Sequence, residues 1–307
     1  MKRFIFTAMA ISALTAGALP PYPAAPSDGT VDEYFGRKVA DPYRPLENDT
    51  AAVTAAWVDA ENAITRSYLD AIPFRNALRQ RLQTLNDFGK TGIPSKAKDG
   101  LYYWFANNGL QNQSVLYRSD KPYGTPQTVL DPNTLSDDGT VALTGLSFSP
   151  DGKYLAYTIS RSGSDWTEIY VLDAKTLELL PDHVEWAKFT GAEWHGDGFY
   201  YSAYPRPEAG KEFSNANEYH SIYFHKLGTP QSDDKVVFEN RNEPLRFHLT
   251  ALTDDRRYMI VYGSGQGTGN MVLVKNLTVP DSEFIVIEPT QEKEMSLIDN
   301  IGDTLYF

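Results

Sequence analysis

Apolar and polar positions change rhythm near residue 89. Before it, Val53, Trp57, Ala60, Ile64 and Tyr68 recur every three or four residues, the spacing of one stripe along an α-helix. Asp49 or Thr50 stands where an N-cap is expected. A second helix is predicted from near Pro73, a residue tolerated in a first turn, with Leu78, Leu82 and Leu85 on one side. Two such helices cannot bury their stripes alone, so a larger docking surface is expected. From Gly89 onward, short runs of Tyr, Phe, Val and Leu alternate with Asn, Asp, Gly and Pro, which predicts strands and turns.

The strands repeat. A turn containing Asp leads into an aromatic strand at Asp99-Gly100, Asp151-Gly152, Asp197-Gly198 and Asp254-Asp255, and a fifth copy begins at Gly302-Asp303. From Asp99 to Asp151, Asp197, Asp255 and Asp303 the steps are 52, 46, 58 and 48 residues. That is the length of one four-stranded sheet with its loops, the unit of a β-propeller. The expected fold is mainly β: about four blades and the start of a fifth, an incomplete ring with open sheet edges, preceded by a helical segment.

Composition narrows the partners. Forty acidic residues against 28 basic ones leave a net charge of -12, which repels a phosphate backbone or an anionic bilayer, so neither nucleic acid nor membrane is an expected partner. The chain has no cysteine, which removes disulfides, thiolate nucleophiles and Cys-ligated metals. Residues 1–18 read as a secretory signal: Lys2 and Arg3 precede a mostly apolar run, and Ala16-Gly17-Ala18 offers a cleavage site. The apolar run is shorter than the ~20 residues that span a bilayer. Export to a bacterial periplasm is expected, since the chain carries no disulfide-forming residue. A Pro-rich arm follows, so the expected division is 1–18 signal, 19–88 arm and helices, and 89–307 partial propeller.

At several places the residues are similar to those of the prolyl oligopeptidase (prolyl endopeptidase) family. They are Asp41-Pro42-Tyr43-Arg44-Pro45-Leu46-Glu47, Gly109-Leu110-Gln111-Asn112-Gln113, Leu130-Asp131-Pro132-Asn133 with its continuation to Leu143, Ser162-Gly163-Ser164-Asp165-Trp166, and Tyr219-His220-Ser221 with its continuation to Thr229. They run in the family's order from about Tyr22 onward. The resemblance implies a serine peptidase that cleaves short peptides on the carboxyl side of proline. It implies a seven-bladed propeller that covers the active site of an α/β-hydrolase domain, with the helical segment belonging to that domain. The nucleophile, acid and histidine then lie in a C-terminal domain missing from this chain. The implied partners are that domain and short proline-containing peptides; the complete protein is expected to be a monomer with no cofactor, and the 307-residue chain to be inactive and unstable. The rival reading is a stand-alone propeller that binds a protein or ligand without catalysis, and a peptidase of the wider group with another residue preference stays open.

The same resemblance marks substrate contacts. Phe189 matches an aromatic residue lining the pocket for residues N-terminal to the cleaved proline, Phe247 stands at a second apolar pocket position, and Asp165 matches an acid at the domain interface. The family's pattern also has an Arg and a Cys where this chain has Ser264 and Gly267, so contacts there are in doubt.

The residues themselves carry little chemistry. No Gly-x-Ser-x-Gly elbow occurs. His183, His195, His220, His225 and His248 lack zinc-helix spacing and are expected at the surface or in turns. The glycine run from Gly263 to Gly269 reads as a loop between strands, and Asp131, Asn133 and Asp137 read as turn capping.

Overall fold

A computed structural model describes residues 22–208, 216–265 and 267–307, so the secretory signal expected at residues 1–18 lies outside the described residues. The chain divides into two compact units, with the boundary between Arg79 and Gln80.

The first unit opens with a hairpin of β1 (Val31–Tyr34) and β2 (Arg37–Ala40). Its two turn residues, Phe35 and Gly36, both have positive φ (52° and 77°), the conformation that lets a two-residue loop follow the strand twist. Helix α1 (Ala52–Asp70) follows, and α2 (Arg75–Asn86) begins in this unit. Neither expected cap is used. The residue before α1 is Ala51, whose methyl group offers no cap bond, and the Thr50 hydroxyl donates back to Asn48 Oδ1 at 2.9 Å. Pro73 lies two residues ahead of α2, not within its first turn. Val53, Tyr68, Leu78, Leu82 and Leu85 are exposed, while Trp57, Ala60 and Ile64 of the same α1 stripe are partly buried. Among the described residues no helix is long and apolar enough to cross a membrane.

The second unit is a succession of antiparallel sheets. The first holds β3 (Lys90–Thr91), β4 (Ser95–Lys96), β5 (Tyr102–Asn107), β6 (Val115–Ser119) and β7 (Gln127–Leu130). Next come β8 (Val141–Phe148), β9 (Tyr154–Arg161), β10 (Trp166–Asp173) and β11 (Leu179–Lys188), paired in chain order. The meander of β12 (Glu193–His195), β13 (Gly198–Ala203), β14 (Ser221–Lys226) and β15 (Lys235–Phe238) joins them through one pair, Ala187 with Ala203. A separate sheet contains β16 (Phe247–Leu252), β17 (Tyr258–Ser264), β18 (Met271–Asn276) and β19 (Ile285–Glu288), and β20 (Asp299–Ile301) pairs with β21 (Thr304–Tyr306).

Side-chain alternation makes these sheets stack face to face. Along β9, Leu155, Tyr157 and Ile159 pack against Tyr103, Leu116 and Val129 of the preceding sheet, while Ala156 points the other way, to Trp194 and Phe199. In β13, Phe199 and Tyr201 face back toward Ile169 and Val184, and Tyr200 faces forward toward Met259 and Val261. Strand β17 repeats this, with Tyr258 and Ile260 packed against Leu297 and Leu305. Each internal sheet is therefore covered on both faces, which explains why its central strands are apolar almost throughout instead of alternating with polar residues.

The repeated turns lead into β5, β9, β13, β17 and β21, but use two geometries. Asp99 and Asp151 each accept a backbone N–H two residues on, and the following Gly100 and Gly152 have φ 87° and 72°. Asp255 does the same, yet the left-handed position is held by Arg256 at φ 61°. At the other two turns the left-handed residue precedes the Asp: Gly196 and Gly302. A non-glycine residue in this region costs about 1 kcal/mol, partly offset because glycine is freer in the unfolded chain. Arg256→Gly is expected to raise stability by about 0.5 kcal/mol. The 3.7 Å contact with Glu193, on a partly exposed pair, contributes little against this. A urea titration reads the outcome as a higher midpoint.

Candidate functional site

The site forms where β11 ends. Trp186, inside the strand, and Phe189, just past it, both have left-handed backbones, with φ 59° and 53°. Bulky residues rarely adopt this conformation, and where it persists the surroundings impose it. The irregular pairing of β10 with β11, which shifts register twice, accommodates the distortion. Phe189 is left 45% exposed, a large apolar ring presented to solvent.

Phe189 borders a cavity of about 460 Å³. Its other walls include Thr144, Thr158, Ser160, Asp165 and Glu193, so hydroxyls and carboxylates face one aromatic ring. Thr144 and Thr158 hydrogen-bond across the floor at 2.8 Å. Asp165 sits in the turn before β10, after Ser162 and Gly163 with φ 52° and 74°. Burial raises the pKa of Glu193 while Arg256 pulls it down. Phe247, the first residue of β16, does not border the cavity, but its ring centroid lies 6.0 Å from that of Phe189. The three residues singled out in the sequence are thus gathered: Asp165 and Phe189 on one cavity, with Phe247 against Phe189.

Behind the rings lies a layer that the sequence reading missed. Lys188 is buried, with its ammonium 4.6 Å from the Trp166 ring and 5.4 Å from that of Phe189. His220 Nε2 meets the Lys188 carbonyl at 3.0 Å, and the His248 N–H donates to His220 Nδ1 at 2.9 Å. His248 Nδ1 in turn meets the His220 carbonyl at 2.6 Å. Carbonyls only accept, so His220 carries its proton on Nε2, His248 on Nδ1, and both rings are neutral. Burial pushes the His220 pKa down to about 4 and lowers that of His248.

The expectation of surface or turn histidines is overturned for His220, His225 and His248, which are among the most buried side chains of the protein. His225 lies between Asp234 and Asp182, at 2.9 and 3.2 Å. The error has a physical source: His220 and His225 satisfy both ring nitrogens on backbone or carboxylate groups, so their burial carries no penalty that the sequence reveals, whereas His248 satisfies Nδ1 and leaves its buried Nε2 without a partner among the described residues. No spacing signal marks these partners, which are 9 to 43 residues away.

The arrangement suits binding. Among the described residues no His, Asp and Glu cluster is placed to hold a metal ion, and no serine hydroxyl is hydrogen-bonded to a histidine ring. Stacked antiparallel sheets, each packed on the next, fit a β-propeller domain. The chain belongs to the prolyl oligopeptidase family: the family described as "Prolyl oligopeptidase, N-terminal beta-propeller domain" matches residues 22–307. Over 302 residues it is 40% identical to the prolyl endopeptidase of Elizabethkingia miricola, covering 98% of this chain and 42% of the relative. The prolyl endopeptidase of Elizabethkingia meningoseptica is 41% identical over 303 residues, with the same coverage. Among solved structures, prolyl oligopeptidase B from Galerina marginata, bound to a 35mer hydrolysis and macrocyclization substrate, matches with TM-score 0.77 and 28% identity, covering 93% of this chain and 43% of that one. The chain spans about 42% of the length of the curated relatives it matches.

Proposed function

We propose that this chain is the N-terminal and propeller portion of an exported serine peptidase that hydrolyses short peptides on the carboxyl side of proline. Residues 89–307 supply about four blades and the start of a fifth of a seven-bladed ring, residues 19–88 belong with an α/β-hydrolase domain, and residues 1–18 direct export. The propeller acts as a lid that admits short peptides and excludes folded chains. The hydrolase domain supplies Ser, Asp and His for an acyl-enzyme route. The propeller supplies contacts to the substrate residues preceding the proline: Phe189 and Phe247 offer apolar ring surface, and Asp165 can accept hydrogen bonds or meet a basic group.

The observation that carries this reading is Phe189, a half-exposed ring kept in a strained backbone beside a polar cavity and backed by Phe247. A ring kept in this state has no packing advantage over a buried one, so its use lies in what it touches. The test is a titration of the 307-residue chain with an acetylated Ala-Ala-prolinamide peptide, followed by amide chemical shifts. Phe189→Ala and Phe247→Ala are each expected to weaken binding roughly tenfold, about 1.4 kcal/mol. The chain alone is expected to leave the peptide uncleaved. Unchanged affinity in both variants, or cleavage by the chain, refutes the assignment.

A further inference from the structure

We infer that His220 is the positioning residue that fixes the Phe189 and Phe247 rings against each other, an inference that rests on the peptide-binding reading above. The two phenylalanines lie on separate sheets, at the end of β11 and the start of β16, and no strand pairing joins those two elements. Besides the contact of the two rings, one imidazole bridges them. Its Nε2–H donates to the carbonyl of Lys188, the residue before Phe189, and its Nδ1 accepts from the N–H of His248, the residue after Phe247. The return bond from His248 Nδ1 to the His220 carbonyl closes a ring of two hydrogen bonds between His220 and His248, with the Lys188 bond extending from it.

The peptide unit that sets the φ of Phe189 is the one whose carbonyl His220 holds. A left-handed phenylalanine relaxes unless its neighbours over-determine it, and this bond is one of the constraints. The His220 ring also packs within 6.4 Å of the Phe189 ring and 4.3 Å of the Tyr204 ring. Charged and titratable groups face it from each side: Lys188 from β11, Tyr204 after β13, and His248 from β16, the last influenced by Arg246 and Glu243. Protonating His220 would turn its acceptor nitrogen toward the His248 N–H as a second donor and add a cation beside Lys188, so the neutral form is the working one.

The geometry separates the two bonds experimentally. A glutamine amide places a donor near where Nε2 lies and keeps the Lys188 bond; an asparagine amide reaches only the position of Nδ1 and keeps the His248 bond. With the same acetylated Ala-Ala-prolinamide titration of the full chain, His220→Ala is expected to weaken binding about tenfold, by releasing two buried backbone groups. His220→Gln is expected to restore affinity to within about threefold of wild type, and His220→Asn to remain near the alanine value. Should His220→Ala not fold, the glutamine and asparagine variants decide alone. Equal affinities for these two, or wild-type affinity in a folded His220→Ala, overturns the inference. If Phe189→Ala loses affinity and His220→Ala does not, only the positioning role fails. If wild type binds no peptide, the peptide-binding reading and this inference fall together.

Discussion

Gly198→Ala is expected to destabilise the protein by about 3 kcal/mol or more. Gly198 opens β13 directly opposite Lys226, where two strands approach with no room for a side chain. A Cβ there would lie 2.0 Å from the His225 carbonyl oxygen and 2.8 Å from Cζ of Phe224. The first contact cannot be relieved by turning a rotamer, because it is with backbone. Strand β14 is also held from behind, since the His225 ring is clamped by Asp182 and Asp234 and cannot retreat without breaking both bonds. Gly89→Ala serves as the control: a Cβ there meets nothing within 4 Å, and the expected change is within about 0.5 kcal/mol. Denaturant unfolding of both variants gives the comparison, and a Gly198→Ala midpoint close to wild type would show that β13 and β14 can separate locally.

Gly198 also shows what a sequence reading can and cannot see. Asp197-Gly198 looks like the Asp99-Gly100 and Asp151-Gly152 turns, and in all three the aromatic strand that follows forms where the repeat places it. The reason for the glycine differs, however. At 100 and 152 it supplies a left-handed backbone; at 198 the left-handed residue is Gly196, and the glycine at 198 makes space for another strand. Local spacing reveals a turn but not a tertiary approach across 27 residues. The repeat was legible because sandwiched sheets write apolar runs of similar length between turns, whereas strand pairing beyond each meander is not encoded in any period. The helix start was misplaced for a similar reason: the Thr50 hydroxyl is engaged locally with Asn48 Oδ1 and accepts no N–H from the helix N-terminus, which starts after Ala51. Phe189, Phe247 and Asp165 were found through resemblance, and their residue types alone fit an ordinary core. The histidine layer behind them was invisible, since its partners are set by packing between sheets.

The fully buried His225 is expected to give the protein an alkaline limit that its composition does not suggest. Both ring nitrogens face carboxylates, Asp234 Oδ1 and Asp182 Oδ1, and the side chains of all three are at most 2% exposed. Burial lowers the His225 pKa, but the bonds and charges of Asp234 and Asp182 overcome it and leave it raised above 6.5. The imidazolium is therefore the folded form. A raised pKa adds stability that is complete below the unfolded value, about 6.5, and disappears as pH climbs through the folded value. His220 acts oppositely: with its pKa lowered to about 4, stability is lost as pH falls from 6.5 toward 4. Together they predict a stability maximum near pH 6.5, the ordinary histidine value. His225→Gln is expected to flatten the alkaline limb and His220→Gln the acidic one, as read from unfolding midpoints across pH. Asp182→Ala is the severe case. It removes one carboxylate from a buried cation and frees the Gly228 N–H, bound at 2.5 Å, so a loss of about 3–5 kcal/mol is expected. Asp182→Asn keeps the shape without the charge, and should cost less at alkaline pH, where the imidazolium is already being lost, than at pH 6. An Asp182→Asn penalty that does not change with pH would mean that His225 is neutral in the fold and that the clamp is held by neutral hydrogen bonds alone.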